Sequence, residues 1–162
     1  MSDYEPSKKT ASLSSYIAAV LFLILLILFS STPQSIIIPF VGVAFHLMLF
    51  PVVRKLPAPE WARAAGYGWL VLDLALNVAE LNGVDQHITM PFRLGGHISS
   101  AVWIVTASLR GSSPLRVTGI LQGIFTVGYS LLAPWVPNYG LYPSALLLLI
   151  WLVLSARELS KA

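Results

Sequence analysis

Long apolar segments separated by short polar breaks constrain this chain more than any other feature of its sequence. A bilayer core of about 30 Å needs roughly 20 mainly apolar residues per helix. The breaks carry the Pro, Gly and Ser residues that are typical of turns. The segments that meet this requirement lie at about 14–31, 36–54, 63–83, 93–110, 115–134 and 141–157. The sequence therefore predicts an all-α integral membrane protein, a bundle of six transmembrane helices.

Composition supports the same fold class and excludes several others. Charged residues make up 10% of the chain, whereas a soluble domain carries about 25%. The chain has no cysteine, which excludes disulfides, thiolate metal ligands and thiol nucleophiles. The sequence has no stripe of basic residues with interleaved aromatic residues, so it does not indicate a nucleic-acid partner. We expect one membrane domain over 14–158, with short tails at 1–13 and 159–162, and the lipid bilayer as its surroundings.

The placement of lysine and arginine predicts the orientation. Short cytoplasmic loops of membrane proteins carry an excess of these residues. With the N-terminus inside, Arg93 is the single basic residue that falls on the outer side, while the others are cytoplasmic: Lys8, Lys9, Arg54, Lys55, Arg63, Arg110, Arg116, Arg157 and Lys161. We therefore expect cytoplasmic N- and C-termini and a multi-pass protein of the cell (cytoplasmic) membrane.

The stretch DLALNVAE, residues 73–80, places two carboxylates inside an apolar segment. Asp73, Asn77 and Glu80 are spaced i, i+4, i+7, which puts them on one stripe of a helix. A charged group at the bilayer centre costs about 2.5–3.5 kcal/mol or more, so such residues face the bundle interior or water. We expect this stripe to face other helices.

Three neighbouring segments carry polar residues that could face this stripe. Arg93 and His97 are one helical turn apart in the fourth segment, and His46 is the polar residue in the middle of the second. Gln122, Thr126 and Tyr129 form a stripe in the fifth segment. From the rise of about 1.5 Å per residue, His46 and Asp73 fall near the midplane, and Arg93 falls at the outer mouth.

These positions predict a polar cavity that opens to the outer side and has Asp73 as its central charge. Its lining would bind a small polar solute, a proton or a cation, and consists of Asp73, Asn77, Glu80, Arg93, His97, Gln122, Tyr129 and His46. A simpler interpretation stays open, since polar side chains commonly hold membrane helices together through hydrogen bonds. Arg93 could also extend to the lipid headgroups.

The sequence gives only a weak indication of a metal site and none of a cofactor. The candidates for a metal site at the outer mouth are Glu80, Asp85, His87 and His97, and they show no HxxxH or HExxH spacing. The depths of His46 and His97 differ by roughly 8 Å, which disfavours haem ligation by both. No P-loop or dinucleotide fingerprint occurs. We expect no cofactor and assign no catalytic residue.

The function that the sequence favours is binding or transport of a polar solute, proton or cation. This function favours a protein that is not an enzyme. Two alternatives remain. One is an intramembrane metal-dependent hydrolase that uses the outer cluster. The other is a noncatalytic subunit or sensor that packs as a homo-oligomer or on a larger membrane partner.

Overall fold

The part of the chain that the structure describes forms six α-helices, the number that the sequence predicts. The computed structural model describes residues 6–161, and these residues contain no strand. The helices are α1 Lys8–Ser31, α2 Ile37–Lys55, α3 Glu60–Leu81, α4 Gln86–Ser108, α5 Ser113–Leu132 and α6 Tyr142–Lys161, with a short 3-10 helix at Asn138–Leu141 before α6. By length and composition, α1, α2, α5 and α6 could each cross a membrane.

The helices are arranged as a closed ring. Each helix packs on its neighbours in the sequence, and α1 also packs on α6. Small residues allow this closing contact: the Ser12 and Ser15 hydroxyls donate to the Ala156 and Leu152 carbonyls, each at 2.8 Å. Serine hydroxyls that bond across helices are a common way of joining them in lipid.

The first and last helices extend beyond the segments that the sequence predicts. The tails were expected at 1–13 and 159–162, but α1 begins at Lys8 and α6 continues to Lys161. The Ser7 hydroxyl accepts from the Thr10 backbone N–H at 3.0 Å and so caps the start of α1. Residues 1–5 and 162 of these tails lie outside the described residues.

The turn between α3 and α4 is tight and positions the candidate site residues of both helices. Gly83 has φ +87°, where a residue without Cβ is favoured. Its N–H bonds to the Glu80 carbonyl and the Val84 N–H bonds to the Ala79 carbonyl, both at 3.0 Å, which is a Schellman ending. The Asp85 carboxylate then accepts from the His87 N–H and caps α4. The two helices consequently run back along each other.

The fourth helix begins seven residues before the sequence prediction, at Gln86 and not at about 93. Pro91 lies inside the helix, although proline usually marks a helix boundary. Arg93 therefore lies two turns inside α4. The predicted segment began at about residue 93, so Arg93 lies farther along its helix than the sequence indicates.

Aromatic rings fill the interior of the ring of helices. Consecutive ring centroids are separated by 4.8–6.3 Å in the series Phe22, Phe45, His46, Trp69, Trp103 and Trp151. The series starts on α1 and passes through α2, α3 and α4 to α6. Its middle members, His46 and Trp69, bring the aromatic core against Asp73.

Candidate functional site

Asp73 lies in the bundle interior, with a relative exposure of 1%. One carboxylate oxygen, Oδ2, accepts a hydrogen bond from the Trp69 indole N–H at 2.6 Å. The same oxygen lies 3.1 Å from His46 Nε2. Trp69 is one helical turn before Asp73 on α3, while His46 comes from α2. The stripe therefore faces other helices, as predicted.

The orientation of the His46 ring defines where its protons are. His46 Nδ1 lies 2.7 Å from the Gly42 carbonyl oxygen. A carbonyl only accepts, so Nδ1 carries a proton and donates it. The contact between His46 Nε2 and Asp73 Oδ2 then needs one proton between them, because two acceptors do not bond. This proton belongs either to an imidazolium beside a carboxylate or to a carboxylic acid beside a neutral imidazole.

The second carboxylate oxygen, Asp73 Oδ1, is buried and has no hydrogen-bond partner. Arg93 Nη1 lies 3.9 Å from it, and His97 Nε2 lies 3.9 Å from Oδ2. Both distances are too long for a direct hydrogen bond. Gly96 lets α4 come this close, since a Cβ there would lie 3.7 Å from Oδ1 and 3.2 Å from a Leu72 methyl.

Glu80 and Arg93 form the outer part of the cluster. Arg93 Nη2 donates to Glu80 Oε1 at 2.9 Å, and the Thr89 hydroxyl donates to the same oxygen at 2.6 Å. Side-chain exposure rises from 1% for Asp73 and 8% for Glu80 to 18% for Arg93 and 24% for His97. His97 and Arg93 are therefore the parts of the cluster that approach the surface.

The charges of the cluster balance. Arg93 is paired with Glu80, and the shared proton makes the His46–Asp73 pair neutral overall. With a neutral His97, the cluster has no net charge. A net charge of zero is favourable here, because an isolated charge in a low-dielectric interior has a high free-energy cost.

Asn77 supports the site from within the helix. Its side-chain amide donates to the Asp73 backbone carbonyl at 2.8 Å. The amide oxygen packs on α2 at Gly42, where a Cβ would come within 2.7 Å of it. Asn77 thus sets the separation of α2 and α3 beside His46.

The polar stripe of α5 forms a different cluster. The Gln122 side-chain amide donates to the Thr126 hydroxyl at 2.8 Å, and Thr126 bonds to Ser144 of α6. Tyr129 lines an apolar groove of about 290 Å³ with Phe125 and Val136. In the part of the chain that the structure describes, no hydrogen bond or ion pair joins these α5 residues to Asp73. The sequence indicates that the second, fourth and fifth segments could face the Asp73 stripe. In the structure the side chains nearest the Asp73 carboxylate from other helices come from α2 and α4.

The four metal candidates are not brought together. Asp85 caps α4, His87 is exposed at the start of that helix, and Glu80 is bonded to Arg93 and Thr89. Within residues 6–161, no group of three or more His, Asp or Glu side chains is placed to hold a metal ion.

Two residues that touch the site were missed as hydrogen-bond donors in the sequence. Trp69 lies in the same predicted segment as Asp73, four residues before it, and this i, i−4 spacing of an indole and a carboxylate was the available signal. Thr89 was assigned to a loop because the start of α4 was predicted too late.

Comparison of the chain with protein-family models, curated proteins and solved structures gives no match.

Proposed function

We propose that the chain is a multi-pass protein of the cell membrane that binds and transports protons at the His46–Asp73 pair. The observation that carries the proposal is the single proton required between His46 Nε2 and Asp73 Oδ2 while His46 Nδ1 donates to Gly42. An imidazole in this position can take a proton at one nitrogen and release one from the other.

The exposed faces of α3 and α4 support six spans and not four. These helices have 22 and 23 residues, about 33–35 Å at 1.5 Å per residue, which exceeds the bilayer core of about 30 Å. Beyond the first turns, their exposed residues are apolar: Ala64, Gly68, Val71, Ala75, Val78, Ile88, Met90, Pro91, Phe92, Gly95 and Val102. Their ionised groups lower the average hydropathy without meeting lipid.

The distribution of basic residues supports cytoplasmic termini. Nine of the ten lysine and arginine residues fall on one side of a six-span arrangement, and that side is cytoplasmic by the positive-inside rule. The exception, Arg93, has an internal partner in Glu80. With this orientation the Glu80 and Arg93 end of the cluster faces outward.

A proton fits the site better than a metal cation does. Arg93 holds a permanent positive charge 3.9 Å from Asp73 Oδ1, the one carboxylate oxygen without a hydrogen bond. A second fixed cation there would be repelled. A proton requires no coordination shell, and the His46–Asp73 hydrogen bond already accommodates one.

An apolar layer lies on the side of the site that the proposed orientation makes cytoplasmic. On α2, the turns after His46 bury Leu49, Val52 and Val53. This apolar layer separates the pair from the cytoplasmic end, while the outer side has partly exposed polar groups. Transport therefore requires an alternate state in which the layer opens and His46 Nδ1 releases its proton inward.

Proton flux into liposomes tests the proposal. Purified protein is reconstituted with an internal pH-sensitive dye, and a potassium diffusion potential drives protons inward. We expect wild-type vesicles to acidify faster than protein-free vesicles and Asp73→Asn vesicles to match the protein-free rate. The amide keeps the shape of the carboxylate and cannot exchange a proton.

Asp85→Asn is the matched control, because the same chemical change is made at an exposed carboxylate. Asparagine caps a helix about as well as aspartate, so this variant should retain the wild-type flux. Equal flux in wild type and Asp73→Asn, or wild-type flux no faster than that of protein-free vesicles, would contradict the proposal.

A further inference from the structure

Arg93 lies between two carboxylates and presents a different nitrogen to each. Nη2 donates to Glu80 Oε1 at 2.9 Å, whereas Nη1 lies 3.9 Å from Asp73 Oδ1. Measured along the helices from the α3–α4 turn, the Cα atoms of Glu80, Arg93 and Asp73 lie about 2, 10 and 12 Å deep. The arginine side chain reaches back toward the turn, since long side chains point toward the N-terminus of their helix. One guanidinium therefore connects the outer carboxylate with the deep one.

The deep carboxylate has an acceptor that no group uses. Asp73 Oδ1 is buried without a hydrogen-bond partner, and Arg93 Nη1 is about 1 Å beyond the usual hydrogen-bond length of about 2.9 Å. Gly96, one turn after Arg93 on α4, adds no side chain beside this oxygen; a Cβ there would lie 3.7 Å from it. A small shift of the flexible arginine stem would complete the bond.

The outer carboxylate keeps a partner if Arg93 moves away from it. The Thr89 hydroxyl donates to Glu80 Oε1 at 2.6 Å, independently of the arginine. Glu80 also lies one residue before the end of α3, closer to the turn than Asp73. A charge costs less near water than deep in a bundle, because it is better hydrated there. Glu80 can therefore remain ionised without Arg93 more readily than Asp73 can.

We propose that Arg93 is a movable counter-charge of the proton site. It pairs with Glu80 while the His46–Asp73 pair holds its proton, and it moves onto Asp73 Oδ1 when that proton leaves. Loss of the proton from His46 Nδ1 leaves a neutral imidazole that donates from Nε2 to the Asp73 carboxylate, so the cluster gains one negative charge. The shift of Arg93 places this charge at Glu80, the outer end in the proposed orientation. When the pair binds the next proton, Arg93 returns to Glu80. This inference rests on the proposed proton transport.

The other titratable groups around the site provide no second anion for this guanidinium. Asp73 also faces the imidazoles of His46 on α2 and His97 on α4, which are neutral or positive. On α5, the other neighbour of α4, Arg116 and Tyr129 make no hydrogen bond or ion pair with the guanidinium within residues 6–161. The two carboxylates are therefore the alternative partners of Arg93.

Double-mutant cycles in two backgrounds test the movement without any transport. His46→Gln imitates the site after proton release, because its amide can donate to Asp73 but cannot carry a proton. In this background, the cycle of Arg93→Gln with Asp73→Asn should give a larger coupling free energy than in wild type. The cycle of Arg93→Gln with Glu80→Gln should give a smaller one. Unfolding by dodecyl sulfate in mixed micelles measures both, and equal couplings in the two backgrounds overturn the inference.

Proton flux in liposomes distinguishes this role from that of a simple ion pair. Glu80→Gln/Arg93→Gln removes both charges of the outer pair together. If Arg93 served Glu80 alone, this double variant would transport like the wild type. As the counter-charge of Asp73, its loss should lower the flux by about tenfold or more, because a buried charge without a partner is strongly disfavoured.

Glu60→Gln/Arg63→Gln is the matched control, since it makes the same two changes in an exposed ion pair at the other end of α3. Its flux should equal the wild type. Wild-type flux in Glu80→Gln/Arg93→Gln overturns the inference and leaves the Asp73 proposal intact, because that proposal depends on wild type and Asp73→Asn alone. The coupling free energies give their result even if the wild type transports no protons, so the two failures are distinguishable.

Discussion

Asp73 is stable in the bundle because its neighbours replace the hydration that it loses. The Trp69 indole and His46 bond to one oxygen, and the Arg93 charge lies near the other. Removing one partner of a buried pair leaves the other unsatisfied, while replacing both by apolar groups is often nearly neutral. This asymmetry can be measured.

A double-mutant cycle between His46→Leu and Asp73→Leu should therefore be strongly non-additive. Each single change leaves a buried polar group without its partner, which costs about 1–3 kcal/mol. The double change should cost less than the sum of the singles, with a coupling free energy of about 1–3 kcal/mol. The free energy of unfolding is measured from dodecyl-sulfate titration in mixed micelles.

The Glu60–Arg63 pair provides the comparison cycle. These residues form an i, i+3 ion pair, and Glu60 is 87% exposed. A pair of this kind contributes about 0.2–1 kcal/mol. A coupling for His46 and Asp73 that is no larger than this value would mean that the buried hydrogen bond contributes little to folding.

The sequence predicts which side chains of the site share one face of a helix, because the helical repeat determines this. It does not predict which neighbouring helix that face contacts. The 100° step places Asp73, Asn77 and Glu80 on one stripe, and the stripe is buried or nearly so. The same step aligns Gln122 with Thr126, yet it does not specify which neighbour that stripe faces. The order of the ring turns the α5 stripe toward Ser144 of α6.

At the scale of elements, Gly119 sets how closely α4 and α5 approach. A Cβ at Gly119 would overlap the Ser108 hydroxyl and lie 3.1 Å from Trp151 Nε1. That hydroxyl accepts from Trp151 at 2.7 Å and donates to the Ile104 carbonyl at 2.6 Å. One glycine thus permits a contact among α4, α5 and α6.

Gly119→Ala should destabilise the fold by about 1–3 kcal/mol, because overpacking a close contact forces side chains or helices to shift. Thermal unfolding in detergent measures the loss. Gly128→Ala on the same helix is the control, since a Cβ there meets no atom within 4 Å. Equal melting temperatures for the two variants would show that α4 and α5 are not in this close contact.

The start of α4 shows why one element boundary could not be predicted from local signals. Proline usually marks a helix boundary, because it lacks the N–H and restricts the preceding residue. Here the Asp85 cap and the Gly83 turn start the helix earlier, and Pro91 is accommodated inside α4. The later start would have removed Thr89 from the helix and Arg93 from the reach of Asp73.

At the scale of the whole molecule, the mean hydropathy of a helix and its position in the ring give different information about whether the helix can span a membrane. A sequence average counts every residue of α3 and α4, including ionised groups that point inward. The ring places α3 between α2 and α4, and α4 between α3 and α5. Lipid would meet their apolar outer faces, which is why charged residues on the inner faces are compatible with spanning.

The six-span arrangement predicts a specific pattern of cysteine labelling on this cysteine-free chain. If α3 and α4 both cross the membrane, their connecting turn is outside, and the turns before α3 and after α4 are inside. A membrane-impermeant maleimide applied to intact cells should therefore label Gln86→Cys, while Glu60→Cys and Ser113→Cys should react only after the membrane is opened. All three positions are exposed in the structure, so a lack of labelling reports the membrane barrier and not burial. Protection of Gln86→Cys in intact cells, with labelling after opening, would place the α3–α4 turn inside. With Glu60→Cys and Ser113→Cys also protected in intact cells, that result would leave four spans, and the Glu80 and Arg93 end of the Asp73 cluster would no longer face outward.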